Sequence, residues 1–311
     1  MIGVRAAGGA VAAVDVPDPE GDGALVEIAG AGICGSDFHI MGLGTRVTLG
    51  HEFAGTVDGR PVAVEPFVHC HACGPCRAGR TALCEPGTQA LHGIHRDGGM
   101  AEAVLVDPSC LVELPPDLLL GDACLAEPIA VGLHAVHRGG IEPGMRVVVV
   151  GGGMVGLVAA AMARRAGADV DLVARHAFQY AAAERLGVGT DAGRRYDLAI
   201  EAAGSGSALA DAVARTAAGG RVVFSGSYWE PVELPGFALQ LGEIDLVPSV
   251  YYGHHDGERE FEEAARVLGE LPELASTLIT HRFPLSEATR AFEVAADRDE
   301  GAIRVVLEPR G

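Results

Sequence analysis

The feature that most constrains the fold is a run of four valines that leads directly into a glycine-rich turn, RVVVVGGGMVGLVAAAM. This order predicts a buried strand, a tight turn and a helix. In such an arrangement Gly151 makes the turn, Gly153 lets the backbone approach a pyrophosphate, and Gly156 lets the helix pack closely on the strand. Met154 and Val155 open the helix, whose first amide groups would bind the phosphates. The pattern predicts a dinucleotide site; the alternative is a glycine turn that binds nothing.

Strand-like and helix-like segments alternate after this turn: DVDLVA, HAFQYAAAERLG, DLAIEAAG, ALADAVARTAAGG and RVVFSG. Continuous apolar strands between helices predict βαβ units, and therefore an α/β domain with a doubly wound parallel sheet. Residues 24–106 instead contain short β segments broken by Gly and Pro, which predicts a small barrel-like β domain. We therefore expect a dinucleotide-binding domain at 129–252, inserted into a β domain formed by 1–128 and 253–311.

One connection in the predicted sheet is unusually short. Only seven residues, GTDAGRR, follow Val188 before the next strand, Tyr196–Ile200. A parallel crossover with its helix needs at least ~10–12 residues. We therefore expect the sheet to lack about one βα unit, with residues 189–195 as a simple loop and the next strand paired beside the first strand of the sheet. Arg194 and Arg195 end this loop and are close enough in sequence to help bind phosphate.

The end of the second strand of the sheet selects between the two nicotinamide cofactors. Asp171 lies twenty residues after Gly151, but in the middle of the predicted strand. The position that faces the ribose is then Ala174, which is followed by Arg175 and His176. An acid at this position would hold the 2′-hydroxyl of NAD, whereas Arg175 suits the 2′-phosphate of NADP. We expect NADP, with NAD as the alternative if Arg175 is only a solvated surface residue.

Four of the seven cysteines fall within fifteen residues, as Cys70-x2-Cys73-x2-Cys76-x7-Cys84. In a reducing compartment, clustered thiols indicate a metal site rather than disulfides. Four thiolates form a closed, tetrahedral structural zinc site. An iron–sulfur cluster is the alternative, although its bacterial run has a shorter last gap followed by Cys-Pro; free thiols are a further one. We expect a structural-zinc lobe at about 68–88.

The chain is strongly acidic. Its 42 Asp and Glu residues and 23 basic residues, all of them Arg, give a formal net charge of −19. A field of that sign repels nucleic acid and anionic membranes, so we expect neither as a partner. The absence of Lys excludes a lysine Schiff base. There is no run of about 18 apolar residues, and Gly, Asp and Pro break up the N-terminal segment too much for a signal peptide, so we expect a soluble cytoplasmic protein.

Three short motifs contain further candidate metal ligands: CGSDFH from Cys34, GHEFAG around His51, and AEP around Glu127. Each one alone suits a buried thiol, a satisfied histidine or a helix-capping carboxylate. Together with the glycine turn and the four-cysteine lobe, they resemble the medium-chain zinc-dependent alcohol and polyol dehydrogenases, in the branch that includes sorbitol, threonine and sugar-acid dehydrogenases. The resemblance covers essentially the whole chain.

The resemblance implies a catalytic zinc ion held by Cys34, His51 and Glu127. Glu52 would be a carboxylate that can approach the metal or exchange onto it. Cys124, three residues before Glu127, is a fallback ligand. Three protein ligands would leave zinc an open position for an alcohol.

The resemblance also implies roles for four residues around that metal. Ser36 would hydrogen-bond the substrate hydroxyl and pass its proton, by way of the cofactor ribose, toward His39. Asp37 would fix the tautomer of His51, as the outer partner that metal-bound imidazoles usually need. Arg304 matches a pyrophosphate-binding arginine.

The implied fold is a GroES-like β-barrel catalytic domain with a zinc lobe, joined to a Rossmann domain. The implied function is hydride transfer between a secondary alcohol or polyol, or its ketone, and NADP, in a homodimer or homotetramer with two zinc ions per chain. A zinc-free enoyl or quinone reductase of the same fold is one alternative, and a non-catalytic nucleotide-binding zinc protein is another. Retention of Cys34, His51 and Glu127 argues against the first, and retention of Ser36 and His39 argues against the second.

Overall fold

The computed structural model describes residues 1–7, 9–116 and 118–309. The chain forms two compact units. Unit 1 comprises Met1–Glu127 and Gly253–Gly311, and unit 2 comprises Pro128–Tyr252.

The strands are short, as the frequent Gly and Pro residues predict. In chain order they are β1 (Ile2–Ala7), β2 (Ala10–Asp15), β3 (Ala24–Ile33), β4 (Glu52–Val57), β5 (Arg60–Val64), β6 (Ala103–Val106), β7 (Leu111–Glu113), β8 (Arg146–Val150), β9 (Asp169–Val173), β10 (Gly189–Thr190), β11 (Tyr196–Glu201), β12 (Thr216–Phe224), β13 (Asp245–Pro248), β14 (His254–His255), β15 (Glu258–Arg259), β16 (Ile279–Pro284) and β17 (Arg304–Glu308).

The helices differ widely in length. They are α1 (Asp37–Ile40), α2 (Gly74–Arg77), α3 (Glu85–Thr88), α4 (Ala126–Gly139), α5 (Met154–Arg165), α6 (Ala177–Arg185), α7 (Gly206–Arg215), α8 (Gly236–Gly242), α9 (Glu260–Glu270), α10 (Pro272–Leu278) and α11 (Ala288–Ala296). Short 3₁₀ turns occur at Met41–Leu43, Thr81–Leu83, Pro108–Cys110, Leu120–Leu125, Leu285–Glu287 and Arg298–Glu300. No helix in the described ranges is both long and apolar enough to cross a bilayer.

Unit 1 is built on a largely antiparallel sheet with the order β16-β17-β3-β4-β5-β7, in which β6 also pairs with β3. The first half of β3 alternates buried and exposed residues, with Val26 and Ile28 facing the core, whereas Gly30–Ile33 is buried throughout. Phe53 of β4 and Phe292 of α11 belong to the same apolar core. The buried half of β3 therefore leads straight to Cys34, the first candidate ligand.

Unit 2 contains a parallel sheet with the order β10-β9-β8-β11-β12-β13. Val147, Val148 and Val149 of β8 are fully buried, as a central strand covered on both faces requires. Helix α5 follows β8 after a three-residue glycine turn, and α7 packs a buried face that includes Leu209 and Val213 against the sheet. The sequence-based prediction of βαβ units with a covered parallel sheet is confirmed.

The shortened crossover between β9 and β11 was predicted only in part. Strand β11 pairs in parallel with β8, as expected, and no helix lies between Val188 and Tyr196, all of which the structure describes. The expectation of a simple loop at 189–195 is wrong for its first two residues, because Gly189 and Thr190 pair in parallel with β9. The next five residues connect β10 to β11. These strands are three strand spacings apart, or ~14 Å, a distance that an extended segment of five residues can cover. Because β10 is the outermost strand of the sheet, it can be as short as two residues without breaking the hydrogen bonds between the other strands.

Arg194 and Arg195 lie at the amino ends of the parallel strands, so the expectation that they help bind phosphate is wrong. Arg194 forms ion pairs with Asp169 at 2.6 Å and with Asp171 at 3.0 Å. Arg195 donates to the backbone carbonyl of Ala214. The glycine turn, by contrast, follows the carboxyl end of β8. Strand direction therefore separates these two arginines from any phosphate bound there.

Candidate active site

Cys34, His51 and Glu52 meet because β3 and β4 are antiparallel neighbours. Gly32 near the end of β3 pairs with Glu52 at the start of β4. Residues that follow β3 therefore lie beside residues that begin β4. One potential ligand atom from each of the three side chains lies within 4.8 Å of the other two.

A glycine directs the chain into His51. Gly50 has a φ of +97°, a conformation that side chains rarely adopt. A Cβ atom at this position would lie 2.9 Å from the backbone nitrogen of Met100. The backbone N–H of Gly99 donates to the carbonyl of Gly50 at 2.9 Å, which fixes this turn to the 91–99 loop. The position of the His51 ring therefore depends on a residue with no side chain.

The ring of His51 is held between two oxygen atoms. Its Nδ1 lies 3.4 Å from Oδ1 of Asp37, which is ion-pair range, although the two atoms are not aligned for a hydrogen bond. Oδ2 of Asp37 accepts from the backbone N–H of Cys34 at 2.8 Å. On the other side, Nε2 of His51 lies 3.3 Å from Oγ of Ser36. The Asp37 contact leaves Nε2 as the nitrogen that can bind a metal.

Electrostatics favour a cation at this point. Burial by itself lowers the pKa of His51, but the neighbouring charges of Asp37 and Cys34 raise it well above its ordinary value. Asp37 is fully buried. A buried group of anions around a neutral imidazole is costly unless a positive charge is present. A proton on His51 or a bound metal ion would supply that charge.

Glu52 faces Arg304 as well as the ligand group. The Arg304 Nη2 atom lies 3.1 Å from Oε1 of Glu52, and Arg304 also donates to the carbonyl of Ile33. Both residues are buried, at 0% and 3% exposure. Neither carboxylate oxygen of Glu52 has an aligned hydrogen-bond donor. Glu52 therefore keeps oxygen lone pairs available for a metal ion, in competition with the guanidinium group. The pyrophosphate role of Arg304 stays a prediction.

Glu127 lies in the first turn of α4 and is buried, but it is outside the three-residue group that the structure brings together. Burial lowers the pKa of Arg304, while Glu52, Cys34, Cys124 and Glu127 raise it, with a net rise. Glu127 thus belongs to the anionic surroundings of Arg304. Its predicted role as the third zinc ligand stays a prediction, and the structure offers Glu52 as the nearer carboxylate.

The two candidate proton-transfer residues flank the first turn of α1. Ser36 precedes this helix and is half-buried beside His51, whereas His39 is exposed on the helix. Two further thiols, those of Cys110 and Cys124, are buried outside the two candidate metal clusters. Burial raises the pKa of Cys110 and of Cys124 to about 12, and each lies near a backbone carbonyl.

The four-cysteine lobe has the geometry of a metal knuckle. Potential ligand atoms of Cys70, Cys73, Cys76 and Cys84 lie within 4.8 Å of one another, and the sulfurs of Cys70 and Cys76 are 3.9 Å apart. Four sulfurs bound tetrahedrally to zinc at ~2.3 Å lie about 3.8 Å apart. Backbone N–H groups of Cys73 and Cys76 point at the sulfurs of Cys70 and Cys73, at 3.3 and 3.5 Å. The donor set and its spacing both fit a zinc ion.

Ionisation in this lobe also points to a cation. Backbone N–H groups of Ala72 and Cys73 lower the pKa of Cys70 to about 6. Burial and the neighbouring thiols raise the pKa of Cys76 to about 12. A bound cation would favour the ionised form of Cys76 as well as that of Cys70.

A buried ionic chain next to the lobe was not identified from the sequence. Nε2 of His69 lies 2.9 Å from Oε1 of Glu65, and Arg259 donates to the other oxygen of Glu65. Burial alone would raise the pKa of Glu65. The contacts with His69 and Arg259 lower it by more than burial raises it, so the pKa lies below its ordinary value. Only the position of His69 beside Cys70 gave any sequence indication. These contacts of Glu65 therefore connect the start of the lobe to Arg259, which lies 194 positions later in the sequence.

In unit 2, the glycine turn has the predicted shape. Gly151 has a φ of +121°, and its N–H donates to the carbonyl of Val173 at 2.9 Å. Helix α5 begins at Met154, directly after Gly153. A Cβ at Gly156 would overlap the carbonyl oxygen of Gly151, so a side chain cannot be accommodated there. The amide groups at the start of α5 are thus available for a diphosphate.

A second feature at this end of the sheet was missed. Glu201, at the end of β11, is fully buried and accepts hydrogen bonds from the backbone N–H groups of Ala203 and Gly204, both at 2.8 Å. The hydroxyl of Tyr228 donates to its other oxygen at 2.5 Å. This carboxylate therefore joins the loops after β11 and β12, at the carboxyl edge where such sheets bind ligands.

Arg175 and His176 lie directly beyond β9, while Asp171 lies within it. The carboxylate of Asp171 is buried against the hydroxyl of Tyr196, at 2.7 Å, and cannot reach the end of the strand. Arg175 is exposed, and none of the described residues forms an ion pair with its guanidinium group. His176 is the residue before α6. The strand end thus carries a free cation and no acid.

Comparisons with known proteins agree with this arrangement. Residues 20–116 match the family model of the alcohol dehydrogenase GroES-like domain, and residues 154–270 match that of the zinc-binding dehydrogenases. L-galactonate-5-dehydrogenase of Escherichia coli K12 is 30% identical, with 90% of this chain and 89% of that protein covered. Sorbitol dehydrogenase of Bacillus subtilis is also 30% identical, with 94% and 92% covered.

A solved structure from Sinorhizobium meliloti 1021, assigned as a zinc-binding dehydrogenase and bound to NADP, is 31% identical with a TM-score of 0.86, and 99% of each chain is covered. The GroES-like and Rossmann folds expected from the sequence are therefore confirmed. The chain belongs to the medium-chain zinc-dependent alcohol and polyol dehydrogenases, which are oxidoreductases that act on an alcohol carbon with a nicotinamide cofactor.

Proposed function

We propose that the protein transfers hydride between a secondary alcohol of the polyol or sugar-acid type, or its ketone, and NADP(H). The observation that carries the proposal is the group formed by Cys34, His51 and Glu52, with Ser36 placed at Nε2 of His51. The relatives named for L-galactonate and sorbitol support this substrate class. The residues that bind metal and move a proton are those that such a reaction needs.

Zinc fits the residues of both clusters. Cys34 and His51, with Glu52 or Glu127, would hold a catalytic ion, and the four lobe cysteines would hold a structural one. Bound zinc supplies Lewis acidity that favours loss of the alcohol proton in one direction and polarises a carbonyl in the other. Asp37 keeps the His51 ring oriented, and Arg304 sets how far Glu52 turns toward the metal.

Ser36 is the group that we assign to the substrate proton. Its hydroxyl lies 3.3 Å from Nε2 of His51 and is half-buried, so a substrate hydroxyl bound beside His51 would be within its reach. His39 is exposed on the adjacent helix turn and would exchange that proton with solvent.

Metal analysis tests the zinc assignment against both alternatives. We expect about two zinc ions per chain in the purified protein and one in the variant Cys34→Ser, with loss of turnover. Cys110→Ser is the matched control, since Cys110 is a buried thiol outside both clusters, and it should keep two. One zinc ion per chain in the unmodified protein, in the four-cysteine lobe, would favour an enoyl or quinone reductase that has no catalytic zinc. Two zinc ions without turnover on any polyol, sugar acid or ketone would favour a non-catalytic role.

NADP is supported by the unpaired Arg175 at the end of β9 and by the NADP-bound relative. We expect Arg175→Ala to weaken NADPH binding about 10- to 100-fold, because a charge-assisted contact with the 2′-phosphate is lost. NADH binding should change little. The control is Arg195→Ala, because Arg195 lies at the amino ends of the parallel strands and Arg175 lies at the carboxyl ends. Equal effects of Arg175→Ala on the two cofactors would leave Arg175 as a surface residue only.

A second copy of the chain is the partner that the surface of unit 2 favours. Strand β13 is the last strand of the parallel sheet and has no neighbour on its outer side among the described residues. Several large apolar side chains of the surrounding segment are exposed: Trp229, Val232, Leu234, Phe237, Leu241 and Val250. We propose a homodimer, or a homotetramer built from it, through this surface. With a net charge of −19, nucleic acid and anionic membranes are not expected partners. Free thiols suit the cytoplasm.

A further inference from the structure

The turn between β9 and α6, formed by Ala174, Arg175 and His176, is held by two consecutive residues of the helix. The hydroxyl of Tyr180 accepts from the backbone N–H of Ala174 at 3.0 Å and donates to the carbonyl of Ala174 at 2.9 Å. The side-chain carbonyl of Gln179 accepts from the N–H groups of Arg175 and His176, both at 3.2 Å.

These contacts occupy each backbone N–H group of the turn. An anion that approaches the end of β9 therefore finds no free amide on Ala174, Arg175 or His176. Only side chains remain to bind it. The guanidinium group of Arg175 is exposed and unpaired among the described residues, and the ring of His176 is half-buried and stacked on Phe178 at 5.4 Å.

Tyr180 also occupies part of the hydrogen-bonding capacity that a ribose hydroxyl could use. An acid at the strand end would accept from a 2′-hydroxyl; here the residue after the strand is Ala174, whose carbonyl already accepts from Tyr180 and keeps only one further lone pair. Gln179 is buried, and a Cβ at Gly152 would lie 2.8 Å from its Cβ atom, so the turn packs directly on the glycine loop. The turn is thus fixed relative to the diphosphate site, with Arg175 as its single outward-facing charge.

We propose that Tyr180 is a positioning residue for cofactor specificity: its hydroxyl fixes the strand end so that the side chain of Arg175 meets the 2′-phosphate of NADP. This inference rests on the proposed use of NADP. It assigns selectivity to a tyrosine that does not itself contact the phosphate and that acts through the backbone of Ala174.

Equilibrium binding of NADPH and NADH, followed by the fluorescence of the reduced nicotinamide, tests the proposal without turnover. We expect Tyr180→Phe to weaken NADPH binding about 5-fold, the order of one to two lost hydrogen bonds, and NADH binding by less than about 2-fold. Tyr196→Phe is the matched control. It removes a tyrosine hydroxyl from the same unit, but at the amino ends of the parallel strands, and should leave the ratio of the two dissociation constants unchanged.

The double variant Arg175→Ala/Tyr180→Phe separates positioning from general stability. If Tyr180 acts through Arg175, the double variant should bind NADPH no more weakly than the Arg175→Ala variant does. An undiminished effect of Tyr180→Phe in the Arg175→Ala background would overturn the inference. So would an equal loss for NADPH and NADH, or no loss for either. If Arg175→Ala itself fails to discriminate between the cofactors, the proposed use of NADP fails; if only Tyr180→Phe fails to do so, NADP stands and this inference alone falls.

Discussion

The stability of the shortened crossover should depend on one buried hydroxyl. Tyr196 is fully buried, and its hydroxyl lies 2.7 Å from a carboxylate oxygen of Asp171 and 2.7 Å from one of Asp191. Tyr196→Phe removes this donor but keeps the ring. The two carboxylates retain other partners, Arg194 at 3.0 Å and the N–H of Gly193 at 3.0 Å. We therefore expect a loss of about 1.5–2 kcal/mol, as for a hydrogen bond to a charged group, rather than the larger cost of an orphaned buried charge.

The exposed ion pair of the same network provides the comparison. Arg194 and Asp169 are 32% and 57% exposed in their side chains, so their pairing should contribute at most ~0.5 kcal/mol. Asp169→Ala is therefore the matched control for Tyr196→Phe. The Tyr196 variant should lower the thermal midpoint by roughly 2–5 °C, and the control by less than about 1 °C. Hydrogen exchange should speed up in β9 and β11 only in the former.

If both variants left the midpoint and the exchange of β9 and β11 unchanged, the reasoning would be refuted, because the buried network would then contribute nothing to the sheet edge. If Asp169→Ala lowered the free energy of unfolding more than Tyr196→Phe does, the degree of burial would not determine how much each contact stabilises this site.

Three further predictions concern other parts of the chain. Glu201→Ala should weaken NADPH and NADH binding alike, by about 10-fold, because the N–H groups of Ala203 and Gly204 lose a charged acceptor; fluorescence titration measures this. Glu65 has a lowered pKa, so its stabilising contribution is present above the ordinary glutamate pKa and is lost as pH falls through its value in the folded protein; Glu65→Gln should flatten the fall in unfolding free energy as the pH drops below the ordinary glutamate pKa. Leu241→Glu should shift the mass measured by light scattering toward that of one chain if the exposed apolar surface of unit 2 joins two copies.

Features set by neighbouring residues could be predicted from the sequence. The glycine turn needs only a strand before it and a helix after it, and Gly151 and Gly156 have the roles that their spacing predicts. The spacing of the lobe cysteines likewise brings their sulfurs together over a few residues. Such arrangements depend on local backbone geometry, so one sequence is enough to identify them.

Features set by strand pairing could not be predicted with the same precision. The resemblance implied Glu127 as the third ligand and Glu52 as a carboxylate that can approach the metal, and only the register of β3 against β4 places Glu52 beside Cys34. The contact between Glu65 and Arg259 joins residues 194 positions apart. A two-residue edge strand such as β10 has too few residues to show any pattern.

The arginines show why strand direction matters more than proximity in sequence. Arg175 and Arg194 both flank strands of one sheet. In parallel strands, amino ends lie at one edge and carboxyl ends at the other, so the sheet assigns the two residues to opposite edges. At the amino edge, Arg194 neutralises Asp169 and Asp171 and stacks over Tyr196, at 5.3 Å from its ring. At the carboxyl edge, Arg175 has no carboxylate to neutralise among the described residues, although the protein as a whole has a large excess of acids. The guanidinium group of Arg175 is therefore available for an anion from outside the chain, at the position where the 2′-phosphate of NADP would bind.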